Sequence, residues 1–108
     1  MSTTITISDT TLKGLQELSE GTNDVEQSLQ RLVTAEYHRR LARYRLTDQR
    51  LAQKYGMSFA EFERAEMTRR QGYSWDVESD AIAWETAIDG IDTIERRLSD
   101  IPSPTHDN

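Results

Sequence analysis

Few residues of this chain have the types and spacing that catalysis or metal binding requires. The two histidines, His38 and His106, lie far apart, and none of the 108 residues is cysteine, so thiolate chemistry and disulfides are excluded. Carboxylate pairs such as Glu61 and Glu63 have no histidine beside them, and we expect them to be solvated. Phosphate-binding glycine loops and hydrolase motifs are missing. The sequence predicts a protein that is not an enzyme and uses no metal, cofactor or small-molecule substrate.

Four arginines lie close together at positions 39, 40, 43 and 45. They could contact an acidic partner or the flanks of a DNA site. They could equally form the solvated side of a helix, because Glu36 precedes Arg39 and Arg40 by three and four residues, the spacing of helix ion pairs. The sequence leaves both interpretations open.

The net charge of −6 is distributed unevenly along the chain. Residues 1–46 contain six basic and six acidic residues, whereas residues 47–108 contain seven basic and thirteen acidic residues. A DNA polyanion would be repelled by the second half, and a basic protein would be attracted to it. The charge pattern therefore favours a basic protein partner for residues 47–108.

The N-terminus lacks the basic start and the apolar run of a signal peptide. No stretch of the sequence is apolar over the roughly 18 residues that a membrane span needs. We therefore expect a cytoplasmic protein without a membrane partner.

Residues 3–8 alternate β-branched apolar and small polar side chains, the pattern of a short β-strand. Ile5 and Ile7 share one face, and Thr4, Thr6 and Ser8 share the other. No second strand-like segment follows, so the backbone of a lone strand would lack partners. Pairing with the same strand of a second copy would supply them, and the pattern predicts a homodimer.

Helical periodicity and capping residues predict four helices after the strand. The first is short, has an apolar stripe at Leu12, Leu15 and Leu18, is capped by Asp9 or Thr10, and ends at Gly21. The second covers about 30 residues, from a cap at Thr22 or Asn23 to Tyr55. The third begins at the capping-box residue Ser58 and ends at about Arg70, and the fourth covers about residues 76–100. Residues 102–108 are expected to be disordered.

The order of strand, short helix, glycine-containing turn and longer helix over residues 3–45 resembles the ribbon-helix-helix family. The resemblance implies a mainly α fold: one short N-terminal strand paired across a homodimer, two helices, and a C-terminal helical extension. In this family the paired strands enter the major groove of DNA. The resemblance implies that six residues contact operator DNA. Thr4, Thr6 and Ser8 would face the bases, and Lys13, Thr22 and Asn23 would lie near phosphates. A ribbon that serves dimerisation alone is the alternative.

Six of the eight aromatic residues lie in the acidic second half: Tyr55, Phe59, Phe62, Tyr73, Trp75 and Trp84. Aromatic anchors surrounded by charged side chains are typical of protein interfaces. The same residues could instead pack into a small helical core of their own. We predict them as contacts to a protein partner and keep self-packing as the alternative.

Residues 54–63, with the sequence Lys-Tyr-Gly-Met-Ser-Phe-Ala-Glu-Phe-Glu, and the later pair Trp84-Glu85 resemble the C-terminal halves of type II antitoxins. The resemblance implies that residues 47–101 hold and neutralise a cognate, basic toxin. Residues 1–46 would then form the dimeric DNA-binding domain that represses the operon. The alternative is a dimeric helical adaptor, or a DNA-binding regulator, with no toxin partner.

Overall fold

The structure, a computed structural model, describes residues 1–19 and 24–102, and its main feature is one long antiparallel helical hairpin. The helices are α1 (Asp9–Leu18), α2 (Val25–Tyr55), α3 (Phe59–Arg64), α4 (Met67–Arg70) and α5 (Trp75–Asp100). Helices α2 and α5 form the hairpin, α1 packs against α2, and α3 and α4 lie in the connection between the two long helices. The molecule is elongated, with extents of 57 × 34 × 25 Å.

Polar side chains begin α1, α2, α3 and α5 by accepting hydrogen bonds from the first free backbone N–H groups. These N-caps are Ser8, Asp24, Ser58 and Ser74. The capping box predicted at Ser58 is confirmed, since Ser58 and Glu61 each accept a backbone N–H of the other. The predicted cap of α1 was wrong by one or two positions, because the side chain of Ser8 accepts from the Thr11 N–H at 3.2 Å.

The predicted length of α2 is confirmed at 31 residues, from Val25 to Tyr55. The helix ends because Gly56 adopts a φ of 66°, the left-handed conformation that favours glycine. The predicted third helix is instead divided into α3 and α4, since Glu66 takes a φ of 51° between them. The predicted fourth helix is confirmed as α5.

The predicted N-terminal strand, and with it the ribbon-helix-helix fold, is wrong. Residues 1–8 have no regular secondary structure, and the described part of the chain contains no sheet. The alternating pattern favours a strand only where a neighbouring strand supplies backbone partners, and residues 1–19 and 24–102 offer none. Ser8 is instead the cap of α1, and Ile5 and Ile7 remain exposed. The mainly α part of the prediction agrees with the structure.

The hydrophobic core lies between α2, α3 and α5, at the end of the hairpin where the connection crosses it. Its buried members are Leu51, Phe62, Val77 and Trp84. Buried residues continue along the hairpin at Leu41 on α2 and at Ala87 and Ile94 on α5. The core thus fixes how α5 lies on α2, and it determines which faces of both helices point outward.

Candidate protein-binding surface

Among the described residues, no group of three His, Asp or Glu side chains could hold a metal ion. His38 is exposed on α2, and His106 lies outside the described residues. Residues 1–19 and 24–102 include no helix that combines the length and apolar character of a membrane crossing.

Four of the six aromatic residues predicted to contact a toxin lie together in the core. Trp84 is 0% exposed, and its ring centroid lies 5.2 Å from Phe62 and 5.4 Å from Phe59. Tyr55 completes the cluster, 5.0 Å from Phe62 in an edge-to-face arrangement. The structure therefore assigns these rings to the packing of α3 between α2 and α5, which is the self-packing alternative.

Two carboxylates satisfy the polar atoms of this aromatic cluster. The Trp84 indole N–H donates to Asp48 Oδ1 at 2.8 Å. The Tyr55 hydroxyl donates to Asp80 Oδ2 at 2.5 Å, and Lys54 Nζ donates to the same oxygen at 2.6 Å. A partly buried hydroxyl or indole without a partner would destabilise the fold, so these hydrogen bonds let the aromatic rings pack inside.

Burial and these hydrogen bonds shift two pKa values. Burial, together with the hydrogen bond to Asp80, raises the pKa of Tyr55 to about 12. Burial alone would raise the pKa of Asp80, but the hydrogen bonds from Lys54 and Tyr55 outweigh it and hold the pKa below its usual range. The ionised form of Asp80 is therefore the form that stabilises the hairpin.

We predict that the destabilisation caused by Asp80→Asn depends on pH. The pKa of Asp80 is lower in the folded state than in the unfolded state. The ionised carboxylate therefore stabilises the fold at pH values above the unfolded-state pKa, and this stabilisation is lost as the pH falls through the folded-state pKa. Urea unfolding at pH 7 should show a loss of about 1 kcal/mol that shrinks below about pH 4. Asp89→Asn, at an exposed position of α5, is the control and should change little. An equal loss at both pH values would contradict this role.

The other two predicted aromatic contacts, Tyr73 and Trp75, are exposed. Tyr73 is 60% exposed, Trp75 is 82% exposed, and Ile82 on α5 is 69% exposed. Trp75 and Ile82 are seven residues apart, so they lie on one face of α5 about 10 Å apart. Tyr73 and Ile82 line the same groove of about 310 Å³ between α4 and α5. We call Tyr73, Trp75 and Ile82 the aromatic patch.

The aromatic patch lies in an acidic environment. Residues 75–95 include seven acidic and no basic residues. Glu78 and Glu85 of this segment border the patch on α5, and Glu63 of α3 lines the groove together with Glu85. Among the described residues these three form no ion pair, although Arg69 also lines the groove. Unpaired carboxylates beside exposed aromatic rings give a surface that attracts cations.

The structure does not bring the predicted DNA contacts into one surface. Thr4 and Thr6 belong to the exposed N-terminal segment, Ser8 caps α1, and Lys13 is exposed on α1. Thr22 and Asn23 lie outside the described residues. Since the ribbon that would align these side chains is missing from the described chain, their predicted role has no geometric support here.

The cluster of arginines on α2 matches the ion-pair interpretation in part. Arg39 and Arg40 both donate to the carboxylate of Glu36, and hydrogen bonds from Arg40 and Arg39 lower the pKa of Glu36. Arg45 reaches across the hairpin to Glu95 at 2.7 Å. Arg43 forms no ion pair within the described residues and stays exposed.

Sequence reasoning missed Asp48 and Asp80, which hold the buried aromatic rings, and it missed Ile82. Asp48 and Asp80 each lie three or four residues from an apolar core position, a signal that they face inward. Ile82 lies off the predicted apolar stripe of its helix, and that position is the signal that its side chain is exposed. Comparison with protein-family models, curated proteins and solved structures finds no significant match to the chain.

Proposed function

We propose that this chain is a cytoplasmic antitoxin that holds a basic protein toxin on the aromatic patch and blocks the toxin sterically. The observation that supports this proposal most directly is the exposure of Trp75, at 82%, beside Tyr73 and Ile82. The resemblance of residues 54–63 and 84–85 to type II antitoxins supplies the kind of partner.

An exposed patch of two aromatic side chains and one isoleucine is unfavourable in water unless something covers it. Grouped apolar side chains with a polar border are typical of binding surfaces. Tyrosine and tryptophan are also the residues that contribute most to binding energy at interfaces. The patch therefore has the composition of an interface centre.

The carboxylates around the patch favour a basic partner. Glu78 and Glu85 border it on α5, and they are free to pair with lysine or arginine side chains. Complementary charge at the border raises the association rate and discriminates against acidic partners. The apolar patch would supply affinity, and the carboxylates would supply orientation.

The hairpin presents this surface on a rigid support. Trp75 begins α5, and Tyr73 lies two residues before it in a turn where its N–H donates to the Thr68 carbonyl at 2.9 Å. Tyr73 has a φ of 55°, a conformation that non-glycine residues rarely adopt and that the turn must hold in place. A preformed surface loses little conformational entropy on binding.

The proposal predicts that a toxic protein is encoded next to this chain. It also predicts that the double substitution Tyr73→Ala/Trp75→Ala prevents this chain from neutralising that toxic protein. The adjacent reading frame is expressed alone and together with this chain in a bacterial host, and growth is measured. The neighbouring product should arrest growth, and the wild-type chain should restore growth. The double substitution should weaken the purified complex at least about tenfold.

Leu18→Ala is the matched control, because Leu18 is a large exposed apolar residue on α1, away from the patch. It should leave both growth rescue and affinity unchanged. A neighbouring product that is harmless and does not bind this chain would refute the antitoxin proposal. A harmless product that still binds at the patch would instead favour the adaptor alternative.

A further inference from the structure

The two long helices have opposite charge. Helix α2 contains seven basic and three acidic residues, a net charge of +4. Helix α5 contains eight acidic and two basic residues, a net charge of −6. Within the hairpin the helices face each other through their buried residues, so much of this charge lies on the two outward faces.

The outward faces carry matching patterns. On α2, successive intervals of four, three and four residues separate Arg39, Arg43, Leu46 and Arg50. On α5 the same spacing describes Glu78, Ile82, Glu85 and Asp89. Residues spaced by three and four lie on one side of a helix, so each set forms a continuous stripe of about 16 Å.

Laid antiparallel, the two stripes match at every position. One register pairs Arg39 with Asp89, Arg43 with Glu85, Leu46 with Ile82, and Arg50 with Glu78. Three pairs are then of opposite charge, and the fourth joins two aliphatic side chains between them. A single register that satisfies all four positions gives specificity as well as attraction.

The matching residues are available for this contact. Leu46 is 58% exposed and Ile82 is 69% exposed. Arg43, Arg50 and the three carboxylates form no ion pair within residues 1–19 and 24–102, and Arg39 pairs only with Glu36 on its own helix. By helical position both stripes lie away from the faces that join α2 to α5, and Ile82, Glu85 and Asp89 also line the grooves beside α3 and α4.

We propose that the arginine stripe of α2 binds the acidic stripe of α5 in a second copy of this chain. The contact joins two different surfaces, one on α2 and one on α5. Such a head-to-tail contact continues from copy to copy instead of closing a symmetric dimer. One stripe of about 16 Å buries less area than stable complexes do, so the association is weak and concentration-dependent.

Ile82 belongs both to this contact and to the aromatic patch. A protein bound at the patch therefore displaces the neighbouring copy, and assembly of the chain lowers its apparent affinity for that protein. The contact itself does not depend on the proposed antitoxin function, because it needs only two copies of this chain.

The test is sedimentation velocity of the purified full chain over a range of concentrations. Two variants reverse the charges on one side each: Arg43→Glu/Arg50→Glu changes α2, and Glu78→Lys/Glu85→Lys changes α5. Arg64→Glu/Arg70→Glu is the matched control. It changes the net charge by the same amount as the α2 variant, but at exposed positions of α3 and α4. Circular dichroism and thermal melting check that each variant is folded.

The wild-type chain should self-associate at about 0.05 M salt and dissociate at least about tenfold more readily at about 0.5 M salt. Each charge-reversal variant alone should lose association at least about tenfold, whereas the control should keep it. An equimolar mixture of the two variants should associate again, because each then offers the charge that the other needs.

A wild-type chain that stays monomeric at low salt up to about millimolar concentration would overturn the inference. Association that both variants retain, or that mixing does not restore, would overturn it as well. Should a reversal variant fail to fold, the neutral change Glu78→Gln/Glu85→Gln gives the same comparison, and unchanged association there would also be decisive against it. None of these measurements involves the toxin.

Discussion

Trp84→Ala is expected to lower the free energy of unfolding by about 3–5 kcal/mol, whereas Trp75→Ala should change it by less than about 0.5 kcal/mol. Both substitutions remove the same side chain from the same helix. Trp84 is completely buried and contacts Tyr55, Phe59 and Phe62, whereas Trp75 is 82% exposed. The difference isolates burial, since the residue types and the helix are identical.

The loss at Trp84 has two physical causes. Removing the indole leaves a cavity between α2, α3 and α5 that the surrounding rings fill only in part. It also removes the N–H that donates to Asp48, a carboxylate partly buried at the helix interface. A small domain has only about 5–15 kcal/mol of net stability, so the variant should be close to unfolding.

Urea titration followed by circular dichroism measures both variants against the wild type. Trp84→Phe is the intermediate variant, because it keeps an aromatic ring but loses the donor to Asp48, and its loss should lie between the two. Equal destabilisation by the two alanine substitutions would contradict the hairpin core. A smaller loss of stability for Trp84→Ala than for Trp75→Ala would mean that Trp75, and not Trp84, is the buried tryptophan.

The two tryptophans also show what sequence alone could predict. Trp84 continues the apolar periodicity of Val77 and Ala81, and that pattern correctly places it inside a helix interface. Trp75 lies outside the periodic stripe, at the first position of α5. Composition alone grouped both with the partner surface, because the number of aromatic residues does not show which of them a helix buries.

The helical bounds of the hairpin were predictable because local residues determine them. Gly56 ends α2 by its left-handed conformation, and Ser58 begins α3 with a capping box. The strand predicted at residues 3–8 was wrong, since a strand depends on a partner elsewhere in the molecule. The local cap at Ser8 determined that segment instead.

Long-range register was the part that the sequence could not show. Asp48 and Trp84 are 36 residues apart, and Tyr55 and Asp80 are 25 apart. Their pairing depends on how α5 slides along α2, which the aromatic core determines. The same register decides which arginines and carboxylates point outward, so the stripes of the two long helices became recognisable only from the fold.

Gly90→Ala is expected to destabilise the hairpin in the wild-type chain and to stabilise it when Tyr44 is absent. Gly90 lies in the middle of α5, where alanine is normally favoured by up to about 1 kcal/mol. The ring of Tyr44 occupies the space that a side chain would need: a Cβ atom would lie 2.6 Å from Tyr44 Cδ2 and 2.7 Å from Cζ. Three ring atoms crowd that position, so the ring as a whole must move.

Displacing Tyr44 should cost about 1–3 kcal/mol through overpacking, more than the gain in helix propensity. In a Tyr44→Ala background the overpacking disappears and only the propensity remains, so the same change should raise stability by about 0.5–1 kcal/mol. Four proteins measured by urea titration give this double-mutant cycle directly.

Gly14→Ala on α1 is the matched control, since a Cβ atom there meets nothing within 4 Å. It should stabilise the chain by about 0.5–1 kcal/mol in either background. Additive effects of Gly90→Ala and Tyr44→Ala would mean that the ring does not rest on the glycine. Because close approach at this point sets the distance between α2 and α5, additivity would also contradict the packing that turns the two stripes outward.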